Sequence, residues 1–442
     1  MRTNRRDNLT GSLIGRERGE QVTDRSARVA DLSAKSGTSS RPGPLEGVIV
    51  LDLSRALAGP YATLMLADAG ASVIKVERPG SGDDTRRWGP PFVGPEGARE
   101  STYFLSVNRN KLSVELDLRS EQDRPRLDAL IRRADVLVEN FRPGARERLG
   151  LSDGALATLN RSLVTLSITG FGHGGPDGHR SGYDQILQGE AGLMGLTGLP
   201  GGPAVKVGVP ICDILAGMFG AFGVVAALKE RERSGRGQVI RTSLLEAALA
   251  VHTYQGTRWL IGGEVPSSEG NRHPTIAPYG SYDCADGSIN IAVGSEKLWQ
   301  SFAPLVDVDP DDARFSSNEL RRANREELDA AITRAFGNEE VDRCIARLDE
   351  AGVPAGRVRR LDEVYEWEQV QALELIDHTR HRVLGEIRLP ASPLSYSRSA
   401  PGASNAPPVL GEHTDAVASW LEDLDTPQSH EATATRDGLD QL

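Results

Sequence analysis

Gly47-Val-Ile-Val-Leu-Asp-Leu-Ser-Arg-Ala-Leu-Ala-Gly-Pro60 holds a strand, a turn and the opening of a helix in one short stretch. An apolar run bounded by turn residues suits a short strand buried on both faces. Pro60 suits a first helical turn, where its missing N–H costs nothing, so a helix is expected from Gly59 to about Ala69. Ser72-Val-Ile-Lys-Val-Glu77 reads as the next strand. Outward from there the alternation repeats, with strands expected at Leu112–Leu118, Asp135–Glu139 and Leu163–Ile168 and a helix over Glu121–Arg133. Repeated units of this kind predict an α/β fold, a large domain whose mainly parallel sheet is flanked by helices on both faces.

From Asp213 to Leu228, and again from Ser243 to Leu260, the pattern is helical. A smaller α/β region follows, with strands near Gly280–Asp283 and Ser288–Val293. Helices are expected at Glu296–Leu305, Val341–Ala351 and Trp367–Leu375. The expected organisation is a large domain over 45–260, a small domain over 261–390 and a return segment over 391–425, in which Thr414–Leu424 is a helix docking on the large domain. Residues 1–44 and 426–442 lack periodic apolar content and are expected to be a disordered extension and tail.

The chain has 442 residues and a net charge of −11, from 51 Lys+Arg and 62 Asp+Glu. That balance argues against a broad nucleic-acid surface, though not against a local basic pocket. Three cysteines, Cys212, Cys284 and Cys344, form no CxxC pair, which disfavours a disulfide framework and a thiolate zinc site. The longest apolar stretch, Ile211–Leu228, is expected to fall short of a membrane span because Asp213 and glycines 217, 220 and 223 interrupt it. With no apolar leader segment, the expectation is a soluble cytoplasmic protein.

Two motifs are decoys. Gly170-Phe-Gly-His-Gly-Gly175 satisfies GxGxxG, but the following Pro176–Gly182 reads as loop, whereas a dinucleotide site needs a helix to start there. His173, Asp177 and His179 cluster in that same loop and read as solvated side chains rather than metal ligands. The turn Ser54–Pro60 is different. It ends a strand, uses small residues and opens a helix, so it suits an anionic ligand at the carboxyl edge of a sheet. Arg78, Arg119, Arg142 and Arg148 follow three further strands. If the strands are parallel, these arginines converge on one edge and make a pocket for a polyphosphate, with Phe141 available to stack on a flat ring.

The same segments carry a resemblance. Leu51–Pro60, Ala67–Gly80, Val138–Gly144, Gly182-Tyr-Asp-Gln-Ile-Leu-Gln188, Val207-Gly-Val-Pro-Ile-Cys-Asp213, Gly270–Tyr279 and Leu410-Gly-Glu-His-Thr414 closely resemble the class III CoA-transferase family. The family includes formyl-CoA, carnitine and succinyl-CoA transferases and the α-methylacyl-CoA racemases. The resemblance runs in order from about Leu45 to Leu424. It implies a homodimer of interlocked rings, with a coenzyme A thioester as substrate and no permanently bound metal or redox cofactor. It also implies that Ala56, Leu57 and Ala58 line the adenosine and diphosphate side of CoA, with Arg78 on phosphate. Leu116, Asp117, Leu118, Arg119, Asn140, Phe141, Arg142 and Arg148 would complete the cradle.

The implied chemistry moves CoA between an acyl-CoA and a free carboxylic acid through an enzyme carboxylate, with anhydride and thioester intermediates. By the resemblance the nucleophilic Asp should precede a Gly-Pro pair, and that position is Gly201, which has no side chain to acylate. The racemase base pair maps to Tyr183 and Asp213, and a tyrosine with a pKa of about 10 is a poor base at neutral pH. Glu296 lies near a third racemase position. Asp184 and Asp213 remain as candidate catalytic carboxylates, each also readable as a helix cap. The Asn271–Thr275 segment occupies the region of the glycine-rich loop that some members close over small acids, which points to a larger or less polar acyl group. A racemase or isomerase acting at the α-carbon, and an acyl-CoA-binding protein with altered chemistry, stand as alternatives.

Overall fold

The computed structural model describes residues 43–400 and 404–425; apart from Gly43 and Pro44, the disorder expected at the two ends lies outside them. The chain divides into two units. One comprises residues up to 184, 212–247 and 377 onward; the other comprises 185–211 and 248–376.

The first unit is built on six strands: β1 (Ile49–Asp52), β2 (Ser72–Glu77), β3 (Lys111–Glu115), β4 (Val136–Glu139), β5 (Val164–Thr169) and β6 (Val239–Ser243). All are parallel, in the order β3-β2-β1-β4-β5-β6. The strand β6 was not legible as one, because Val239-Ile-Arg-Thr-Ser243 follows a charged run and carries only two apolar residues. Alternation sorts the two faces. Ile49, Leu51, Ile74, Val76, Leu112, Val114 and Leu137 point to one core. There they meet Leu127, Leu130 and Ile131 of α2 (Arg124–Arg133) and Val417, Trp420 and Leu421 of α4 (Thr414–Asp425). The helix α4 is thus anchored in this core. Its approach also covers edge strand β3, since His413 N donates to Ser113 O at 2.9 Å and Glu115 N to Thr414 Oγ1 at 3.1 Å. An edge so covered offers no free ladder to another chain.

The opposite face is unusual for a buried sheet. Asp52, Lys75, Glu77, Lys111 and Ser113 are all buried there, beneath α1 (Ala58–Asp68). Beside α1 runs α3 (Ile211–Ser234). Among the described residues, α3 is one helix long and apolar enough to cross a membrane by length and composition. The expectation that its glycines break the run fails, because they serve packing instead. A Cβ on Gly217 would stand 2.7 Å from Ala58 O, and one on Gly220 would stand 2.8 Å from Leu166 Cδ2. Without side chains at these points the helix lies directly on α1 and β5.

The second unit has a three-stranded antiparallel sheet, β7 (Tyr279–Asp283), β8 (Ser288–Ala292) and β9 (Ala355–Arg357), with β8 central. Its core gathers Trp299, Phe302, Phe315, Ile332, Phe336 and Leu348. The expected helix over Ser243–Leu260 is two helices, Leu244–Ala250 and Thr253–Leu260.

Candidate active site

Strand order reverses between β1 and β4, and in doubly wound sheets the crevice beyond such a reversal is where ligands bind. Here that crevice begins with Ser54–Leu57, and each residue of the turn is held from beneath. Lys75 Nζ donates to Ser54 O at 3.0 Å. Asn140, from the end of β4, grips both sides of Arg55: Oδ1 accepts from Arg55 N at 2.9 Å, and Nδ2 donates to Arg55 O at 2.7 Å. Ala56 N donates to Asp83 Oδ1 at 3.2 Å. Ala56 itself sits at φ +62°, a left-handed conformation that non-glycine residues adopt only under constraint. Gly59 completes the turn, since a Cβ there would lie 2.3 Å from Ser54 Cβ. The N-cap residue of α1, Leu57, supplies no side-chain acceptor, and the buried carboxylate of Asp83 meets the preceding amide, Ala56 N, from within.

Around this turn stand the arginines. Arg55 is half-buried, and its guanidinium pKa is pulled down by burial and then by the charge of Arg78, with Arg119 acting in the same sense. Three cations from β1, β2 and β3 therefore share one edge, as the parallel sheet requires. Asp84 offsets part of that charge, 3.9 Å from Arg55. Arg142 and Arg148 are exposed beyond β4. The rest of the expected cradle is less uniform. Leu116 is buried in the main core, and Leu118 and Phe141 pack against that core half-buried. Asp117 is exposed and turns its Oδ1 to Arg119 N at 3.0 Å. Leu57 and Ala58 are buried, which leaves Ala56 as the half-exposed member of its trio. Asn140 spends its amide on Arg55, so its contact with the edge is made through that residue's backbone.

The two candidate carboxylates lie together. Asp184 Oδ1 accepts from Cys212 N at 2.8 Å and from Asp213 N at 3.5 Å, at the first turn of α3. Asp184 therefore caps α3, although it also opens the short helix Asp184–Glu190, the only one that sequence suggested for it to cap. Asp213 lies inside the first turn of α3 and is not its cap. Burial, then the charge of Asp184, pushes the Asp213 carboxyl up to about 7. Asp213 is thus set to hold a proton near neutrality. Tyr103, which sequence reading passed over, senses both: burial, Asp213 and Asp184 push its hydroxyl up to about 12, so it is a neutral O–H donor. Nothing in Ser101-Thr-Tyr-Phe104 marks it, because the two candidate carboxylates stand far off in the chain, at positions 184 and 213.

The remaining motifs fall where the loop reading put them. Residues 170–183 contain no helix, His173 Nε2 bonds Ser167 Oγ at 2.9 Å, and His179 Nδ1 bonds Pro176 O at 2.9 Å. Among the described residues no group of three His, Cys, Asp or Glu could hold a metal ion. Tyr183 is exposed. In the second unit Gly201 lies in an exposed turn at φ +70°, and Glu296 is engaged by the buried Arg321 at 2.6 Å.

A sequence model described as CoA-transferase family III matches residues 45–414. A succinyl-CoA:glutarate CoA-transferase of Mus musculus is 38% identical over 373 residues, covering 84% of this chain and 85% of that protein. A succinate–glutarate CoA-transferase of Agrobacterium fabrum is 38% identical over 400 residues, covering 87% and 98% respectively. The crystal structure of a CAIB/BAIF family protein from Brucella suis superposes with a TM-score of 0.79 at 36% identity, covering 86% of this chain and 100% of that one.

Proposed function

This chain belongs to CoA-transferase family III, and on that premise we propose that it transfers CoA from an acyl-CoA to a free carboxylic acid with Asp184 as the nucleophile. The observation that carries the assignment is the amide cradle of Asp184 at the start of α3, beside a carboxyl that keeps its proton to about pH 7. The Asp184 carboxylate attacks the thioester carbonyl, forming a mixed anhydride and releasing CoA thiolate. The thiolate attacks the aspartyl carbonyl, leaving an Asp184–CoA thioester and the donor's free acid. The incoming carboxylate attacks that thioester, expelling CoA thiolate, which then takes the new acyl group and regenerates Asp184. Protonated Asp213 and neutral Tyr103 keep further negative charge away while anionic acids approach.

The turn Ser54–Ala58 with Arg55, Arg78 and Arg119 is the proposed seat of the CoA phosphates, and Arg142 and Arg148 extend it. The names of the two transferases at 38% identity favour short dicarboxylates as acyl groups, over the larger acyl group suggested by Asn271–Thr275. We assign the working form as a cytoplasmic homodimer; large exposed apolar residues such as Phe222, Leu260 and Ile261 support self-association, which light scattering measures directly.

The test is mass spectrometry of CoA esters after incubation with succinyl-CoA and glutarate. Wild-type protein should form glutaryl-CoA and carry a CoA adduct on the Asp184 peptide. Asp184→Ala should lose both, with turnover down about a thousandfold or more. Retained turnover in Asp184→Ala, or an adduct on another carboxylate, would remove Asp184 from the role.

A further inference from the structure

The loop Glu77-Arg-Pro-Gly-Ser-Gly-Asp83 leaves β2 with Arg78 outward, then doubles back into the protein. Gly82, at φ +64°, makes the reversal possible, since a Cβ there would lie 2.6 Å from Arg86 Cδ and 2.8 Å from Glu77 Oε2. The reversal is clamped: Asp83 N donates to Glu77 Oε2 at 2.9 Å, and Arg86 grips Glu77 through two bonds of 2.7 Å. Asp83 arrives 1% exposed beneath the Ser54–Leu57 turn. It cannot touch a ligand.

All of its acceptor capacity is directed inward. Oδ1 takes Ala56 N at 3.2 Å, Thr85 N at 2.9 Å and Thr85 Oγ1 at 2.9 Å. Oδ2 pairs with Lys75 Nζ at 2.9 Å. Lys75, also fully buried, reaches Ser54 O and stands 3.9 Å from Asp52, its register partner on β1. Asp52 is held in turn by Lys111 at 3.2 Å and by Thr63 Oγ1 at 2.7 Å. Burial opposes each charge, yet Asp83 is held below the usual carboxylate range and Lys75 above its own, because opposite charges and hydrogen bonds together outweigh burial. Buried ion arrays of this kind seldom add net stability, so their presence needs another reason. The strained Ala56 supplies one. A left-handed non-glycine residue persists only where its surroundings over-determine it, and the amide of Ala56 is what Asp83 holds.

We propose that Asp83 is a positioning residue for the anion-binding turn: tied to Lys75 and Thr85, it fixes the Ala56 amide and thereby the shape that Ser54–Leu57 presents to CoA. The ligand in this statement rests on the function proposed above, whereas the constraint on the turn does not. Disturbing Asp83 should weaken the binding of CoA and leave the acid acceptor alone.

The experiment compares full-length wild type with Asp83→Asn, which keeps the shape and the Oδ1 acceptor but removes the charge facing Lys75. Hydrogen exchange of ligand-free protein reads the turn, calorimetry with CoA reads affinity, and initial rates give KM for both substrates. The expected result is faster exchange in peptides covering 53–58, CoA binding weaker by about tenfold, the equivalent of about 1.4 kcal/mol, a matching rise in KM for acyl-CoA, and an unchanged KM for the acid. A purely structural role would lower the active fraction and leave both KM values in place. If Asp83→Asn fails to fold, Thr85→Val removes one bond that orients the same carboxylate and should move the same readings in the same direction by about two- to threefold. Unchanged exchange and unchanged CoA affinity in a folded variant would overturn the proposal. Faster exchange in the variant, with wild type that does not bind CoA, would uphold the positioning role and sink the function instead.

Discussion

Asp184 and Asp213 meet at the first turn of one helix in different surroundings. Asp184 receives backbone N–H groups; Asp213, pressed by burial and by Asp184, titrates near 7. Above that pH Asp213 carries a negative charge that it lacks below it. That charge repels the carboxylate acceptor, so kcat/KM for the acid should fall as pH rises through about 7. Asp213→Asn, which cannot ionise, should make that limb flat while retaining substantial turnover at pH 6. A limb that persists in Asp213→Asn would assign the titration to another group. The pairing was only half legible in the sequence. Both residues stood out as carboxylates inside recognisable segments. That they share a helix start depends on residues 185–211 between them, which the chain places in the second unit.

Among elements, the helix α3 shows how composition misleads when packing is unseen. Gly217, Gly220 and Gly223 look like interruptions of an apolar run, yet each faces a partner that a Cβ would strike or crowd. Gly217→Ala would push its methyl against Ala58 O and Ala62 N, at 2.7 and 3.2 Å, forcing α3 away from α1. Overpacking of this sort costs about 1–3 kcal/mol, and urea unfolding should show a lower midpoint with an unchanged slope. A stability equal to wild type would mean that α1 yields easily, and the close approach would lose its importance. The strands β1, β2 and β4 were readable because short Val-, Ile- and Leu-rich runs dominate them. The Asp83 loop was readable only for its arginine: Gly82-Asp83 acquires meaning when β1 and β2 lie side by side and Ala56 is seen at φ +62°. The burial of Leu116 and the bonds of Asn140 to the Arg55 backbone likewise depend on strands far apart in sequence.

Across the whole molecule, the buried charges beneath α1 tie stability to pH. Asp52 is drawn down to about 2 from its ordinary 3.8, because Lys75, Lys111, Ser54 and Thr63 outweigh burial, and Asp83 and Glu77 are shifted the same way. A carboxyl with a lowered folded pKa contributes stability that is present above about 4 and disappears as pH falls toward 2. Asp52 alone accounts for about 2 kcal/mol of that loss. Asp213 has the opposite sign. Its raised pKa contributes stability that is complete below about 4 and is lost as pH rises toward 7. Stability should therefore climb between pH 2 and 4 and sag between 4 and 7, and Asp213→Asn should remove the sag without altering the acid limb. Salt separates this account from general repulsion on an acidified surface. Exposed charges are screened within about 8 Å at physiological ionic strength, whereas buried pairs are screened far less. Urea midpoints measured from pH 2 to 7 should keep the same acid limb when salt is raised tenfold. An acid limb that flattens in high salt would place the acid sensitivity on the surface charges, and the array beneath the Ser54–Leu57 turn would then have no part in it.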